Sequence, residues 1–185
     1  PLRLGSLSTR TTHPFYMARW NELLGRLGIR ATLVNRYRHQ TKGQMAAGCA
    51  DRALLLKTAK DTMSCSSPAK ARFKKAPPQH CGHCVPCLIR RASLHTGLGS
   101  DPTTYTLADL HARPLNALKA EGEHIRAFQL AISQLAARPG RARFRIHQPG
   151  PLNDFPAELP DYEAVYVKGL QEVGTLIQGV VVSPG

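Results

Sequence analysis

Cys65, Cys81, Cys84 and Cys87 fall at a C-x15-C-x2-C-x2-C spacing and leave one of the five cysteines, Cys49, outside the group. Thiols this crowded do not pair readily as disulfides, which need particular Cα and Cβ separations, but they can converge on one ion. Four sulfurs around a tetrahedral zinc close the shell to water, so such a centre clamps structure rather than carrying out catalysis. Two C-x2-C steps sharing Cys84 make a knuckle-like turn whose backbone N–H groups support thiolates, and the distant Cys65 closes the site. An iron–sulfur cluster also takes four thiolates, but the bacterial ferredoxin run keeps its next cysteine just downstream. None follows Cys87 here, and the spacing favours zinc. His80 and His83 could replace one sulfur, although four cysteines already fill the shell. Cys49 reads as a small core residue on the apolar side of a helix rather than as a nucleophile.

Other residues could meet an anion. Arg10, Thr11, Thr12 and His13 precede a helix, where hydroxyls, backbone N–H groups and a guanidinium can hold a phosphate or carboxylate; simple capping explains the same hydroxyls. Thr41-Lys42 sets a hydroxyl and a positive charge at a second helix start, where Lys42 either neutralises a phosphate or is merely solvated. Arg90 and Arg91 follow the cysteine knuckle, and their planar guanidinium groups suit carboxylate or phosphate recognition. Alternatively, they solvate one helix face and offset the formal −2 charge of a four-thiolate zinc. No G-x-x-x-x-G-K-[ST] loop, G-x-S-x-G elbow, H-E-x-x-H pair or Ser-Gly-Gly-x-Asp-Ser loop occurs. No complete catalytic apparatus is present.

The elements that must position these residues follow from periodicity. Pro14 to Leu27 predicts an amphipathic helix, with Pro14 in its first turn, Phe15, Met17, Trp20, Leu23, Leu24 and Leu27 near helical spacing, and Gly28 as its stop. Ile29 to Asn35 is short and β-branched, which predicts a buried strand. Thr41 caps a helix reaching about Lys57. Helix, strand, helix in this order is a fragment of an α/β layered domain. Residues 66–79 form a Pro- and Lys-rich loop, Leu88 to Leu94 a helix, and Gly97 to Thr104 a boundary. Amphipathic helices are expected over Glu121 to Ala137 and Pro160 to Gln178, joined through a basic connection from Arg138 to Arg145.

The chain of 185 residues is long enough for one domain with a real core. Its net charge of +13 is uneven: residues 36–91 carry twelve basic and two acidic side chains, whereas residues 92–185 carry eight and nine. Such a field favours phosphates or acidic partners. No apolar run reaches the length of a membrane helix, and the opening residues Pro1 to Gly5 resemble neither a signal nor a transit peptide. Thiols at metal spacing suit a reducing cytoplasm.

Taken together, Ser8-Thr9-Arg10-Thr11-Thr12-His13-Pro14, Thr41-Lys42-Gly43-Gln44-Met45, Thr62-Met63-Ser64-Cys65 and the run from His80 to Arg91 resemble the 7-cyano-7-deazaguanine synthase family. The likeness is closest to its QueC-like members of the QatC type from bacterial anti-phage defence operons. It covers residues 1–95, and the helix carrying Tyr166, Gly169 and Glu172 is similar to those proteins too. The resemblance implies an adenine nucleotide alpha hydrolase-like (PP-loop, Rossmann-like) α/β domain over residues 1–64, a four-cysteine zinc module over 65–96 and a mainly helical region over 97–185. It implies an ATP-dependent ligase that adenylates a 7-carboxy-7-deazaguanine-type acid for attack by a nitrogen nucleophile. Cys65, Cys81, Cys84 and Cys87 would bind a structural zinc, Lys42 would face a phosphate, and Arg10, Thr11, Thr12 and His13 would lie at the substrate end of the site. Operon partner proteins and a homodimer are compatible with it, and a cytoplasmic location is expected.

Two departures stand out. The pyrophosphate loop that grips ATP and Mg2+ is missing, and the resemblance therefore implies the C-terminal part of a longer ligase, incomplete by itself. Gln44 stands where family members often carry a glutamate. A rival reading is a zinc-ribbon module binding nucleic acid through the basic segment 36–91. Only Tyr37 and Phe73 supply aromatic rings there, few for a single-strand binder that needs stacking platforms.

Overall fold

The computed structural model describes residues 12–75 and 77–184. Helices dominate it: α1 (Pro14–Arg26), α2 (Lys42–Ala47), α3 (Arg52–Ala59), α4 (Val85–Leu98), α5 (Ala120–Ala137), α6 (Ala142–Arg145) and α7 (Leu159–Leu176). The sheet is a parallel pair of two-residue strands, β1 (Leu115–Asn116) and β2 (Val182–Ser183), with Leu115 opposite Val182 and Asn116 opposite Ser183. The mixed helix–sheet class agrees with the sequence reading. No helix among the described residues is long and apolar enough to cross a membrane.

The core lies where α4, α5 and α7 meet this strand pair. Leu88 and Ala92 from α4, Leu115 from β1, Ile125 from α5, and Val173 from α7 are all buried, with Leu110, Ile177 and Val180 closing the cluster. Gly122 lets α5 begin directly against β1, because a Cβ there would lie 2.2 Å from the Asn116 carbonyl oxygen. A second close approach joins α2 to α4. A Cβ on Gly97 would stand 2.5 Å from Ala46 Cβ and 2.7 Å from the Gly43 carbonyl oxygen, so small residues at both places bring the two backbones together.

Local chemistry accounts for the helix ends. His13 Nδ1 accepts the Phe15 N–H at 3.3 Å ahead of α1, and Gly28 follows it at φ +68°. Gly99, at φ +78°, ends α4 in the left-handed conformation that glycine tolerates.

Two expectations are corrected. Residues 29–35 do not form a buried strand; Ile29, Leu33 and Val34 are exposed. Among the described residues no other strand pairs with this segment, and Leu33 instead exchanges both backbone hydrogen bonds with the Asn21 side chain, at 2.8 and 3.0 Å. A strand without a ladder partner has nothing to bury its apolar face against, and α1 likewise buries none of its residues. The helix expected from Thr41 to about Lys57 is two helices. Gly48 ends α2, and Asp51 Oδ1 accepts the Leu54 N–H at 2.8 Å to start α3. Cys49 therefore sits half-buried in the break rather than in a helix core, its thiol 3.4 Å from the Asp51 carbonyl. The loop over residues 66–79 contains a 3₁₀ turn, Pro68–Lys74.

Candidate metal centre and adjoining cavity

The four cysteines separated in sequence come together in space. All four Sγ atoms lie within 4.8 Å of one another, with Cys65 to Cys84 and Cys81 to Cys87 each at 3.9 Å. Sulfurs about 2.3 Å from a tetrahedral zinc stand about 3.8 Å apart, so the donor set fits such an ion. Cys84 and Cys87 are buried and Cys65 and Cys81 half-buried. Backbone amides reach the sulfurs as a thiolate centre requires: Ser67 and Cys81 N–H donate to Cys65 Sγ at 3.4 Å, and Cys84 N–H donates to Cys81 Sγ at 3.3 Å. Hydrogen bonds with Cys81 and then Cys87 hold the Cys84 thiol far below its ordinary range, while hydrogen bonds with Cys81 and Cys84, and then burial, push Cys87 up. Burial also raises Cys65. The four sulfurs together could hold a metal ion.

The knuckle depends on Gly82. Its φ is +90°, and a Cβ would lie 2.4 Å from the Leu107 carbonyl oxygen, so no side chain fits where the turn passes the following strand-like segment. That segment is tied on by Thr106 N–H to His80 O at 2.8 Å and Leu107 N–H to Cys81 O at 3.0 Å. Neither histidine substitutes for a sulfur. His80 is buried, accepts the Ser64 N–H on Nε2 at 3.1 Å, and packs edge-on against Tyr105 with 5.6 Å between ring centroids. Burial, helped by Arg90, lowers its pKa, consistent with a neutral acceptor nitrogen. His83 Nδ1–H donates to the Ala120 carbonyl at 3.1 Å.

The two arginines after the knuckle are used internally. Arg91 donates to the carbonyls of Gly82 at 3.2 Å and Leu107 at 3.1 Å, and also to Ala108, with its guanidinium 4.5 Å from the Tyr105 ring centroid. Arg90 donates to Thr103 Oγ1 at 3.0 Å, to Thr62 Oγ1 at 2.9 Å and to the Ala59 carbonyl. Arg91 thus braces the knuckle, and Arg90 joins α4 to the end of α3.

Beside this centre, α2, α3 and α4 flank an open cavity of about 960 Å³, lined by Tyr37, Lys42, Gln44, Ser64, Arg90 and Ser93 among others. That volume is at the upper end of the range for small-molecule sites. Lys42 is exposed at its wall. The start of α2 is a capping box: Thr41 Oγ1 accepts the Gln44 N–H at 3.1 Å and Gln44 Oε1 accepts the Thr41 N–H at 2.9 Å. The amide carbonyl of Gln44 thereby serves the reciprocal cap for which a glutamate is also suited.

Thr12 and His13 do not join Lys42. Thr12 lines a separate hollow of about 280 Å³ with Arg38, Glu158 and Tyr162, and His13 caps α1 and packs against Gly150. Arg10 and Thr11 lie outside the described residues.

The chain matches no family model, no curated protein and no solved structure.

Two long-range contacts escaped the sequence reading. Glu172 is buried on α7 and meets the start of α2 through the Thr41 hydroxyl. Its signal was an acid lying between Leu170 and Val173 on the apolar face of a helix, where an ionisable group requires a partner. The second is the junction of residues 38–39 with α7, in which Glu158 receives Arg38, His39 and Tyr162 together. No local pattern announces a meeting across that much sequence.

Proposed function

We propose that this chain is the metal-stabilised part of an ATP-dependent carbon–nitrogen ligase resembling 7-cyano-7-deazaguanine synthase. The observation that carries the reading is a four-thiol group of zinc dimensions next to a cavity of nucleotide size whose wall holds Lys42. Zn2+ on Cys65, Cys81, Cys84 and Cys87 is structural in this reading, and it fixes the start of α4 that forms one side of the cavity. The acid substrate and the adenylate occupy the cavity. The substrate's carboxylate oxygen attacks the α-phosphorus of ATP and pyrophosphate leaves; a nitrogen nucleophile then attacks the acyl carbon and AMP leaves. Lys42 offers an ammonium to the phosphate or carboxylate charge. Mg2+ and the phosphate-gripping loop come from a further segment, because no Ser-Gly-Gly-x-Asp-Ser sequence occurs in the 185 residues. Thr12 and His13 lie apart from this cavity and take no part in this reading. Free thiols at this density suit a cytoplasmic setting, and a role in anti-phage defence rests on the sequence resemblance.

The test joins the chain to an ATP-binding half of the same type and follows conversion of ATP to AMP and pyrophosphate with deazaguanine-type acids. Turnover dependent on the acid, lowered by Lys42→Ala about 100-fold or more, as for loss of one charge-stabilising donor, is the expected outcome. Absence of acid-dependent AMP formation in a folded, metal-loaded protein refutes it.

A further inference from the structure

We infer that residues 138–147 form a docking surface for single-stranded nucleic acid, on a face distinct from the cavity above. Between Glu123 and Asp154 the sequence holds no acidic residue but five arginines, Arg126, Arg138, Arg141, Arg143 and Arg145. The last four fall in a compact turn. After α5 ends at Ala137, the chain makes a 3₁₀ turn, Pro139–Arg141, and continues directly into α6. Ala142 and Ile146, four residues apart and both buried, form the inner stripe of this short helix. Helical spacing then turns Arg141, Arg143 and Phe144 outward.

The exposed groups match the needs of a single strand. Phe144 is 65 % exposed. The Arg143 guanidinium lies 4.7 Å from its centroid. An aromatic face beside guanidinium planes is a stacking platform for a base next to donors for phosphate. Among the described residues Arg138, Arg141, Arg143 and Arg145 make no ion pair; Arg145 donates to the neutral Gln134 amide at 2.8 Å. Glu163 of α7 lines a hollow with Pro139 and Gly140 without pairing with these arginines. Their charge therefore remains available to a polyanion. A duplex groove reader needs a longer helix than the four residues of α6. One ring without a broad apolar face is too little for membrane insertion. A strand with splayed bases satisfies both the ring and the charges.

Fluorescence anisotropy with the full chain tests this, using labelled oligouridine and oligothymidine of about 16 nucleotides, near the upper single-strand site size of one module. Between about 50 and 200 mM salt, the slope of log K against log salt should fall by about 0.7 for each phosphate the protein no longer neutralises. The triple variant Arg138→Ala, Arg141→Ala, Arg143→Ala should therefore lower it by about 2. Phe144→Ala should weaken binding about 5- to 150-fold, the loss of one stacked base, and Phe144→Trp should restore it. Arg30→Ala with Lys119→Ala, exposed basic residues elsewhere, should leave the slope within error. Equal loss per charge in that control variant, unchanged affinity in Phe144→Ala, equally tight binding of a duplex, or stronger arginine-dependent binding to phosphatidylserine vesicles or polyglutamate would each overturn the assignment. Unchanged circular dichroism in the surface variants separates loss of binding from loss of folding.

Discussion

Glu172 lies over Gly43 and accepts the hydroxyl proton of Thr41, linking α7 to the first turn of α2 across 131 residues of sequence. A Cβ on Gly43 would stand 2.6 Å from Glu172 Oε1 and 2.8 Å from Oε2, so glycine is what admits the carboxylate. The helix start that carries Lys42 already faces the protein's own anion. A ligand in the adjoining cavity therefore meets the Lys42 ammonium rather than the first amides of α2.

The first prediction follows from that contact. Thr41→Val removes the cap of α2 and one donor to a buried carboxylate, and should cost about 2–3 kcal/mol. Gly43→Ala, which must push the carboxylate aside, should cost about 2 kcal/mol. Thr41→Ser keeps the hydroxyl and should recover most of the loss. Urea unfolding of the metal-loaded protein measures all three, and a Thr41→Val midpoint equal to wild type would show that the contact contributes nothing.

Metal analysis should find one zinc per chain. Cys84→Ser and Cys87→Ser should abolish it and unfold the region around α4, because binding to a site absent from the unfolded chain adds directly to folding stability, on the order of 10 kcal/mol in small zinc modules. Cys49→Ser should retain full metal content, since Cys49 contacts the Asp51 carbonyl and not the cluster. Chelation at neutral pH should lower the thermal midpoint. Equal metal loss in Cys49→Ser, or no stability change on chelation, would contradict the closed-clamp reading.

What was legible in sequence was what is decided locally. The cysteine spacing located the four-thiol group because a C-x2-C turn and its amides are built from neighbouring residues. Pro14 and Pro160 marked helix starts, and helical periodicity marked α5 and α7. Residues 29–35 misled because β-branched composition describes a strand's fitness to pair, whereas the pairing partner is a nonlocal fact; here Asn21 occupies Leu33. For Arg90 and Arg91 the sequence left anion recognition and a structural role open for a similar reason. Their guanidinium groups suit anions in isolation, but the fold presents them with carbonyls of Ala59, Gly82, Leu107 and Ala108.

Arg91 should consequently tune the metal centre without touching it. Arg91→Ala removes donors to Gly82, Leu107 and Ala108 and the cover on Tyr105, and should weaken metal affinity about 10- to 100-fold, as for other supports of a ligand shell. Arg91→Lys should recover little, because an ammonium cannot span several carbonyls in one plane. Arg90→Ala should instead loosen α3 and the cavity wall while leaving metal affinity near wild type. Competition with a chromophoric chelator distinguishes the two; equal loss of affinity in both variants would remove the distinction drawn here.

The last prediction concerns pH. Glu158 receives Arg38 Nη2 at 2.9 Å and Nε at 2.8 Å, His39 Nε2 at 2.9 Å and the Tyr162 hydroxyl at 2.6 Å, while Asp161 faces the other His39 nitrogen at 3.8 Å. The Tyr162 hydrogen bond, then His39 and Arg38, hold its carboxyl below the ordinary value of 4.5. In the unfolded chain the carboxylate takes up its proton more readily. The stabilisation is therefore complete above pH 4.5 and is lost as pH falls through the lower folded value. Burial, and then donation to Glu158, raise Tyr162 above its ordinary 10.0, so its contribution is complete below that pH and is lost as pH rises through the folded value. At pH 7, Glu158→Gln should destabilise by about 1 kcal/mol, a modest value because the junction is partly open to solvent. The gap from wild type should close on the acid side. Urea titrations of both proteins from acid to alkaline pH check this, and a gap that stays constant below pH 4.5 would show that Glu158 is not held ionised by this junction.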